Sequence, residues 1–233
     1  MSSYTPNISA LLKTRDLADG RPLPPSKLLI ISQPNTPGCS PIPGTTTEIN
    51  TIWKTIGEDH SGSLCLEAES ATVGRVKLEM ESHSSVHFAC HAKQEVGHPL
   101  KSGFYLHDGR LELWEIMKQK TSYYELAFLS ACQTSTGDEK LSEEAVHLAA
   151  GMLAVGYRSV VATMWSIKDQ YGPKVAENFY KYLMEKEHVV GKSGLNSASA
   201  ARALHHAIQG IREQVGDTEQ GLLKWVPYVH FGY

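Results

Sequence analysis

Short apolar runs alternate with segments of helical periodicity, and this alternation constrains the fold of the chain most strongly. Four such runs span residues 27–32, 85–92, 124–131 and 159–165. Each run is mostly apolar on both of its faces and is bounded by polar loops, which is typical of strands covered on both sides. Because helical segments separate these runs, we expect an α/β fold. It is a three-layer sandwich in which helices flank a mostly parallel central sheet.

The remaining elements follow from periodicity and capping signals. Further strands are predicted at 63–67, 104–106 and 225–232, and helices at 47–56, 71–81, 111–118, 142–155, 172–187 and 197–214. Thr47, Thr72 and Ser142 are expected to cap three of these helices, and Gly156 to end one. Glu48 follows Thr47 in the first turn, where a negative charge complements the helix dipole. The Pro-rich residues 1–26, with a short helix near 8–17, are predicted to form an N-terminal extension. Residues 27–233 are predicted to form one domain.

Composition excludes several classes of function. The 233 residues carry a net charge of −3, which gives no electrostatic reason to expect nucleic acid or an anionic membrane as a partner. No apolar run approaches the roughly 20 residues of a membrane-spanning helix, and the first residues do not resemble a signal peptide. Four scattered cysteines without a Cys-x-x-Cys pair favour reduced thiols and a cytoplasmic location.

Two strand ends carry the residues of a possible catalytic dyad. His91 lies at the end of the run 85–92, and Cys132 directly follows the run 124–131. In a parallel α/β sheet, chemistry gathers beyond the carboxyl ends of the strands, where an imidazole can activate a thiol. The residues alone leave an alternative open, in which Cys132 is a small buried hydrophobe and His91 a hydrogen-bonded loop residue.

Sequence motifs around both residues resemble those of a known protease family. His87-Phe-Ala-Cys-His-Ala92 and Leu129-Ser-Ala-Cys-Gln-Thr134 resemble the two active-site motifs of the CHAT proteases, which are related to caspases and separases. The similarity continues through 105–116, 151–156, 160–169 and 225–232, and so covers the chain from about residue 27 to its end.

The resemblance implies a caspase-like fold and a cysteine endopeptidase. His91 would be the general base and acid, and Cys132 the nucleophile. It implies no metal or organic cofactor, a protein substrate, and a regulatory TPR or sensor region. The backbone N–H groups of Cys132 and Ala92 would hold the oxyanion. The family usually has glycine at the position of Ala92, and alanine costs more there if a positive φ is required.

A substrate pocket is also implied by the resemblance. Asp169 follows the strand 159–165, where separase-like relatives carry an acidic residue that lines the pocket for the residue before the cut. We therefore expect Asp169 to select arginine or lysine through a charge-assisted pair, with Ser130 and Trp165 in the same pocket. The alternative is that Asp169 is a surface residue that caps the following helix.

Other polar residues have structural explanations. Strand alternation sends Cys90 to the face opposite His91, so we expect Cys90 in the core and His87 in a structural role. His83, His98 and His107 do not have the regular spacing of metal ligands, so they do not favour a metal site. His205 and His206 are predicted to lie on the surface of a helix. Helix-dipole complementarity explains the acidic segment after Cys132, with a calcium site as the alternative: Asp138, Glu139, Glu143 and Glu144. Gln133 and Thr134 are candidates for the cleft rim.

Two other functions stay open at this stage. A catalytically inactive CHAT module could act as an interaction or signalling domain. A flavodoxin-like protein that binds a small ligand is a weaker alternative, because no Gly-rich phosphate loop follows any predicted strand.

Overall fold

A six-stranded sheet forms the centre of the part of the chain that the computed structural model describes. The structure describes residues 3–4, 26–57, 62–95, 97–119, 123–130, 144–164, 171–190, 195 and 197–232. The strands in chain order are β1 (Leu28–Ser32), β2 (Leu64–Glu67), β3 (Ser85–Ala89), β4 (Ala92–Lys93), β5 (Gly103–Tyr105), β6 (Arg110–Glu112), β7 (Leu126–Leu129), β8 (Ser159–Thr163) and β9 (Tyr228–Gly232). The large sheet has the order β2-β1-β3-β7-β8-β9. Its first five strands are parallel, and β9 runs antiparallel to β8 at the edge.

Helices cover both faces of this sheet and complete the predicted three-layer sandwich. They are α1 (Gly44–Ile56), α2 (Val73–Met80), α3 (Leu113–Met117), α4 (Glu144–Val155), α5 (Gly172–Val190), α6 (Ala200–Val215) and α7 (Glu219–Trp225). α2, α3 and α4 pack on one face, and α1, α5 and α6 on the other. The mostly parallel α/β sandwich is therefore confirmed. No helix within the described ranges has the length and hydropathy to cross a membrane.

Burial on both faces explains the nearly continuous apolar runs. In β3, Val86 and Phe88 enter the core beneath α2, α3 and α4, while Ala89 enters the core beneath α1, α5 and α6. Every residue of β3 is buried, and the same holds for β1, β7 and β8. Such strands need apolar residues at successive positions rather than at alternate ones.

A small antiparallel sheet, in the order β4-β5-β6, follows β3 in the chain. The Phe104 ring of β5 stacks on the Phe88 ring of β3, with 4.0 Å between centroids, and so joins the two sheets. Gly103 lies so close to β6 that an added Cβ would stand 2.2 Å from the Leu111 carbonyl oxygen. The predicted strand at 104–106 is confirmed within one residue. The helix predicted from residue 111 instead begins at Leu113, because residues 110–112 form β6.

Three other expectations about elements were wrong in detail. Thr47 does not cap α1, which begins three residues earlier at Gly44 with Pro43 before it. Trp53, predicted on the apolar face of that helix, is 47% exposed. Trp225 belongs to α7 rather than to the last strand. Thr72 does cap α2, since its side chain accepts a hydrogen bond from the Arg75 N–H, as predicted.

Residues 3–4 pair with the outer edge of β9. The Tyr4 N–H donates to the His230 carbonyl, and the Gly232 N–H donates to the Tyr4 carbonyl. The division into an extension at 1–26 and a domain at 27–233 stays a prediction. The helix predicted near 8–17 and the cap predicted at Ser142 lie outside the described residues.

Candidate active site

His91 lies two residues beyond the end of β3, and its side chain is fully buried. Its Nε2 atom is 2.7 Å from the backbone carbonyl oxygen of Ser40. A carbonyl oxygen can only accept a hydrogen bond, so Nε2 carries the hydrogen and a neutral imidazole keeps a lone pair on Nδ1. Nδ1 has no hydrogen-bond partner within the described part of the chain. The ring is therefore oriented by one nitrogen and has a basic nitrogen available.

The loop 33–43 after β1 supplies the carbonyl that orients His91. The loop begins where the Gln33 N–H donates to the Ala89 carbonyl at the end of β3. It is closed on itself by a hydrogen bond of 2.9 Å from the Ile42 N–H to the Pro34 carbonyl. Prolines and glycines are frequent in residues 33–44 and favour a loop, and the Ser40 carbonyl of this loop contacts His91.

Ala92 presents a backbone N–H at the same place. The Tyr105 N–H donates to the His91 carbonyl, and Ala92 is paired with Phe104. In this antiparallel register the N–H of Ala92 points away from β5, toward the open edge of the small sheet. Ala68 is the non-glycine residue with a positive φ among those described, so alanine at position 92 carries no left-handed strain.

β7 ends one strand away from β3, and Ser130 is the first residue after it. The Ser130 hydroxyl is buried and donates to Glu48 Oε2 at 3.0 Å. Cys132, Trp165 and Asp169 lie outside the described residues. The proposed dyad, and the proposed pocket of Ser130, Trp165 and Asp169, therefore stay predictions.

A buried polar network lies beneath this end of the sheet. Glu48 Oε1 is 3.1 Å from His87 Nε2, and His87 Nδ1 is 3.1 Å from the Tyr180 hydroxyl. The His87 ring also stacks on Phe128 of β7, with 4.8 Å between centroids. His87 thus has the structural role that the sequence predicted. Glu48 was assigned only a helix-dipole role, and its contacts with β3 and β7 were not foreseen.

The other candidates lie away from this network. Cys90 is buried in the core on the opposite face of the sheet, as predicted, and burial raises the pKa of its thiol. His205 and His206 are exposed on α6, also as predicted, and His98 and His107 are exposed on loops. Within the described residues, no group of three potential ligands is arranged to hold a metal ion. Gln133, Thr134 and the acidic positions 138, 139 and 143 lie outside the described part of the chain.

Comparison with solved structures shows that this fold is similar to that of cysteine proteinases. The structure is similar to that of the Arg-specific cysteine proteinase gingipain R (RgpB), with a TM-score of 0.55 and 14% identity. The match covers 88% of this chain and 46% of that one. The complex of the Porphyromonas gingivalis RgpB pro- and mature domains gives a TM-score of 0.53 and 11% identity, over 88% and 47% of the two chains. The chain therefore spans about half the length of these structures, and the likeness shows the fold alone.

The particular family follows from the sequence. The model of the CHAT domain family matches residues 1–233, so the chain belongs to the CHAT domain family. This result confirms the resemblance found in the motifs, and it replaces the flavodoxin-like alternative. No match to a functionally curated protein sequence was found.

Proposed function

We propose that the chain is a cysteine endopeptidase that cleaves specific protein partners, with Cys132 as the nucleophile and His91 as the general base. The observation that supports this most directly is the register between β3 and β7. Paired residues differ by 41 in number, as in Val86 with Ala127 and Phe88 with Leu129. His91 and Cys132 differ by the same number, so the two residues fall level with each other if the register continues past the strand ends.

The chemistry follows from the hydrogen-bonded state of the imidazole. Nε2–H is held by the Ser40 carbonyl, so Nδ1 is the atom that takes the thiol proton. The thiolate of Cys132 then attacks the scissile carbonyl, and the N–H groups of Cys132 and Ala92 hold the oxyanion. Nδ1–H passes its proton to the leaving amine as the C–N bond breaks. Water, losing a proton to His91, then hydrolyses the acyl-enzyme and restores the thiol.

The substrate preference that we propose is for a basic residue before the cut. Asp169 would pair with arginine or lysine, in a pocket that includes Ser130 and Trp165. The similar gingipain structure is that of an Arg-specific proteinase, which agrees with this assignment. We further propose that the protein is cytoplasmic, because its scattered cysteines favour reduced thiols. We propose no nucleic-acid or membrane partner, because the net charge of −3 offers no attraction to polyanions.

A second candidate is a catalytically inactive CHAT module that serves as an interaction or signalling domain. The complete burial of His91 favours it, since a general base must be reached by the reacting atoms. The same observation is compatible with an enzyme that opens only when a regulatory TPR or sensor region engages it.

Mapping of cleavage sites across a proteome distinguishes the active endopeptidase from the inactive module. Extracts treated with the wild-type chain and with Cys132→Ala are compared by labelling newly formed N-termini. We expect a small set of new termini with the wild type alone, most of them preceded by arginine or lysine. The Asp169→Ala variant should lose the basic preference while still cutting. With the regulatory region supplied, identical termini from the wild-type and Cys132→Ala chains would leave the inactive module as the function.

A further inference from the structure

One carboxylate, that of Glu48, joins three segments that border the candidate active site. It lies on α1 and is 3% exposed. Its Oε1 contacts His87 of β3, and its Oε2 accepts a hydrogen bond from Ser130, the residue directly after β7. The two contacts bridge 39 and 82 residues of sequence.

The third segment is the beginning of α5. Gly172 is its first residue, and an added Cβ there would stand 3.0 Å from Glu48 Oε2 and 3.4 Å from Ser130 Oγ. A larger side chain would push the helix away from the carboxylate. α5 therefore starts in direct packing contact with the bonded pair. Residues 165–170, which precede α5, include the pocket candidates Trp165 and Asp169.

α1 also carries the loop that orients His91. The helix begins at Gly44, directly after the loop 33–43. The Thr45 N–H and its hydroxyl both donate to the Ile42 carbonyl, which ties the end of this loop to the first turn of the helix. The loop 33–43 thus holds the imidazole through the Ser40 carbonyl, and the helix that follows it holds the end of β7 through Glu48.

An ionised carboxylate suits this position better than an amide. His87 can donate to Oε1, with its other ring nitrogen facing the Tyr180 hydroxyl, while Ser130 donates to Oε2. A carboxylate offers a separate acceptor oxygen to each donor, whereas glutamine offers one oxygen and would meet the other partner with a neutral amide N–H2. In a buried, low-dielectric network such bonds are strong, and a broken one leaves an unsatisfied polar atom.

We propose that Glu48 is a positioning residue of the peptidase: it anchors the end of β7 and the start of α5 to α1, and so sets where Cys132 meets His91. This inference rests on the proposed function. Ser130 precedes Cys132 by two residues, so a shift of Ser130 moves the nucleophile relative to an imidazole that is bonded to the Ser40 carbonyl of the loop 33–43. Small misplacements of reacting groups lower kcat strongly, by about 100-fold for 1 Å.

The test uses the full chain, with two variants and two matched controls. Glu48→Gln keeps the shape but replaces the charge-assisted bond with a neutral one, and Ser130→Ala removes the bond to Glu48 altogether. Glu125→Gln is the first control, because Glu125 is another buried carboxylate, bonded to the Ser197 N–H at the opposite end of β7. Ser159→Ala is the second, because it removes a buried hydroxyl bonded to His230 at the start of β8.

We expect kcat to fall about tenfold or more in Glu48→Gln and Ser130→Ala, with KM little changed in Glu48→Gln. In both controls we expect kcat to stay within about twofold of the wild-type value. The double variant should lose no more kcat than the worse single variant, because both changes act on the same bond. An equal fall in all four variants, or no fall in any, overturns the inference. If Glu48→Gln does not fold, the fall in kcat of Ser130→Ala relative to the two controls is the test of the inference.

Amide hydrogen exchange separates this result from a failure of the proposed function. If the wild-type chain hydrolyses no peptide, the peptidase proposal fails, yet the anchoring can still be measured. Amides of residues 126–130 should exchange at least about tenfold faster in Ser130→Ala than in Ser159→Ala. Equal exchange in the two variants would show that Glu48 does not anchor the end of β7.

Discussion

The relative reactivity of the four cysteines tests the proposed dyad most directly. Cys39 and Cys65 are half-buried, and Cys90 is buried. Burial, with the nearby Glu67 charge, raises the pKa of Cys65 to about 11. A thiolate paired with an imidazole has a pKa lowered to about 6 or below, against about 8.5 for an ordinary cysteine. Alkylation by iodoacetamide depends on the thiolate, so the ranking of the four rates reports the environment of each thiol.

The difference in ionised fraction between the thiol of the dyad and an ordinary thiol is large at mildly acidic pH. At pH 6 a thiol of pKa about 6 is half ionised, whereas one of pKa about 8.5 is about 0.3% ionised, a difference of roughly 150-fold. The less basic thiolate is intrinsically about tenfold less nucleophilic, which leaves a net advantage of about tenfold. Cys65 is ionised to about one part in 100,000 at this pH, and we expect it to react about two orders of magnitude more slowly than Cys132.

The assay measures the alkylation rate of each cysteine separately, by quenching time points and quantifying the labelled peptides by mass spectrometry. His91→Ala is the matched variant, and it should abolish the advantage of Cys132 at pH 6 while leaving Cys39 unchanged. The reasoning is refuted if Cys132 reacts no faster than Cys39 in the wild-type chain. It is also refuted if the advantage of Cys132 persists in His91→Ala.

Two further predictions concern stability. Gly103→Ala places a Cβ against the Leu111 carbonyl, and we expect a loss of about 2 kcal/mol or more in thermal unfolding; Gly74→Ala, where the added Cβ has open space within α2, should be neutral or stabilising. Burial lowers the pKa of His230 to about 4, so the unfolded chain binds a proton there between about pH 6.5 and 4 while the folded chain does not. The free energy of unfolding should therefore fall with decreasing pH across this range, by about 2 kcal/mol at pH 5, and His230→Gln should lack this part of the decrease in urea titrations.

The parallel sheet could be predicted because its signal is local. Each central strand is buried on both faces, so its apolar run stands out against the polar loops at its ends. Chain ends and edges were harder. β4 and β6, which were not predicted, are two and three residues long, too short for alternation to show. α7 is capped by Thr218, but it was not predicted as a helix. Its last residue, Trp225, was instead assigned to the aromatic-rich strand that follows.

His91 was located correctly at a strand end, and its tautomer could not be predicted. The sequence places an imidazole after β3, but the atom that orients it belongs to Ser40, 51 residues earlier. A backbone carbonyl has no residue-type signature, so any residue in that loop could have supplied it. The pattern of residues therefore identifies a candidate base, while the direction of its proton depends on how the loop folds.

The contacts of Glu48 show most clearly why part of the candidate site could not be predicted from the sequence. A glutamate near a helix start has a sufficient local explanation in the helix dipole, and Thr47 appeared to supply the cap. Glu48 precedes Ile52 by four residues and Ile56 by eight, so helical spacing puts it on the same buried face. A charged residue on a buried face needs partners, and its partners come from two strands that are distant in sequence. A polar residue within an apolar helical face should therefore be treated as a possible link to a site even where a local role suffices, because burial makes an unpartnered charge too costly to retain.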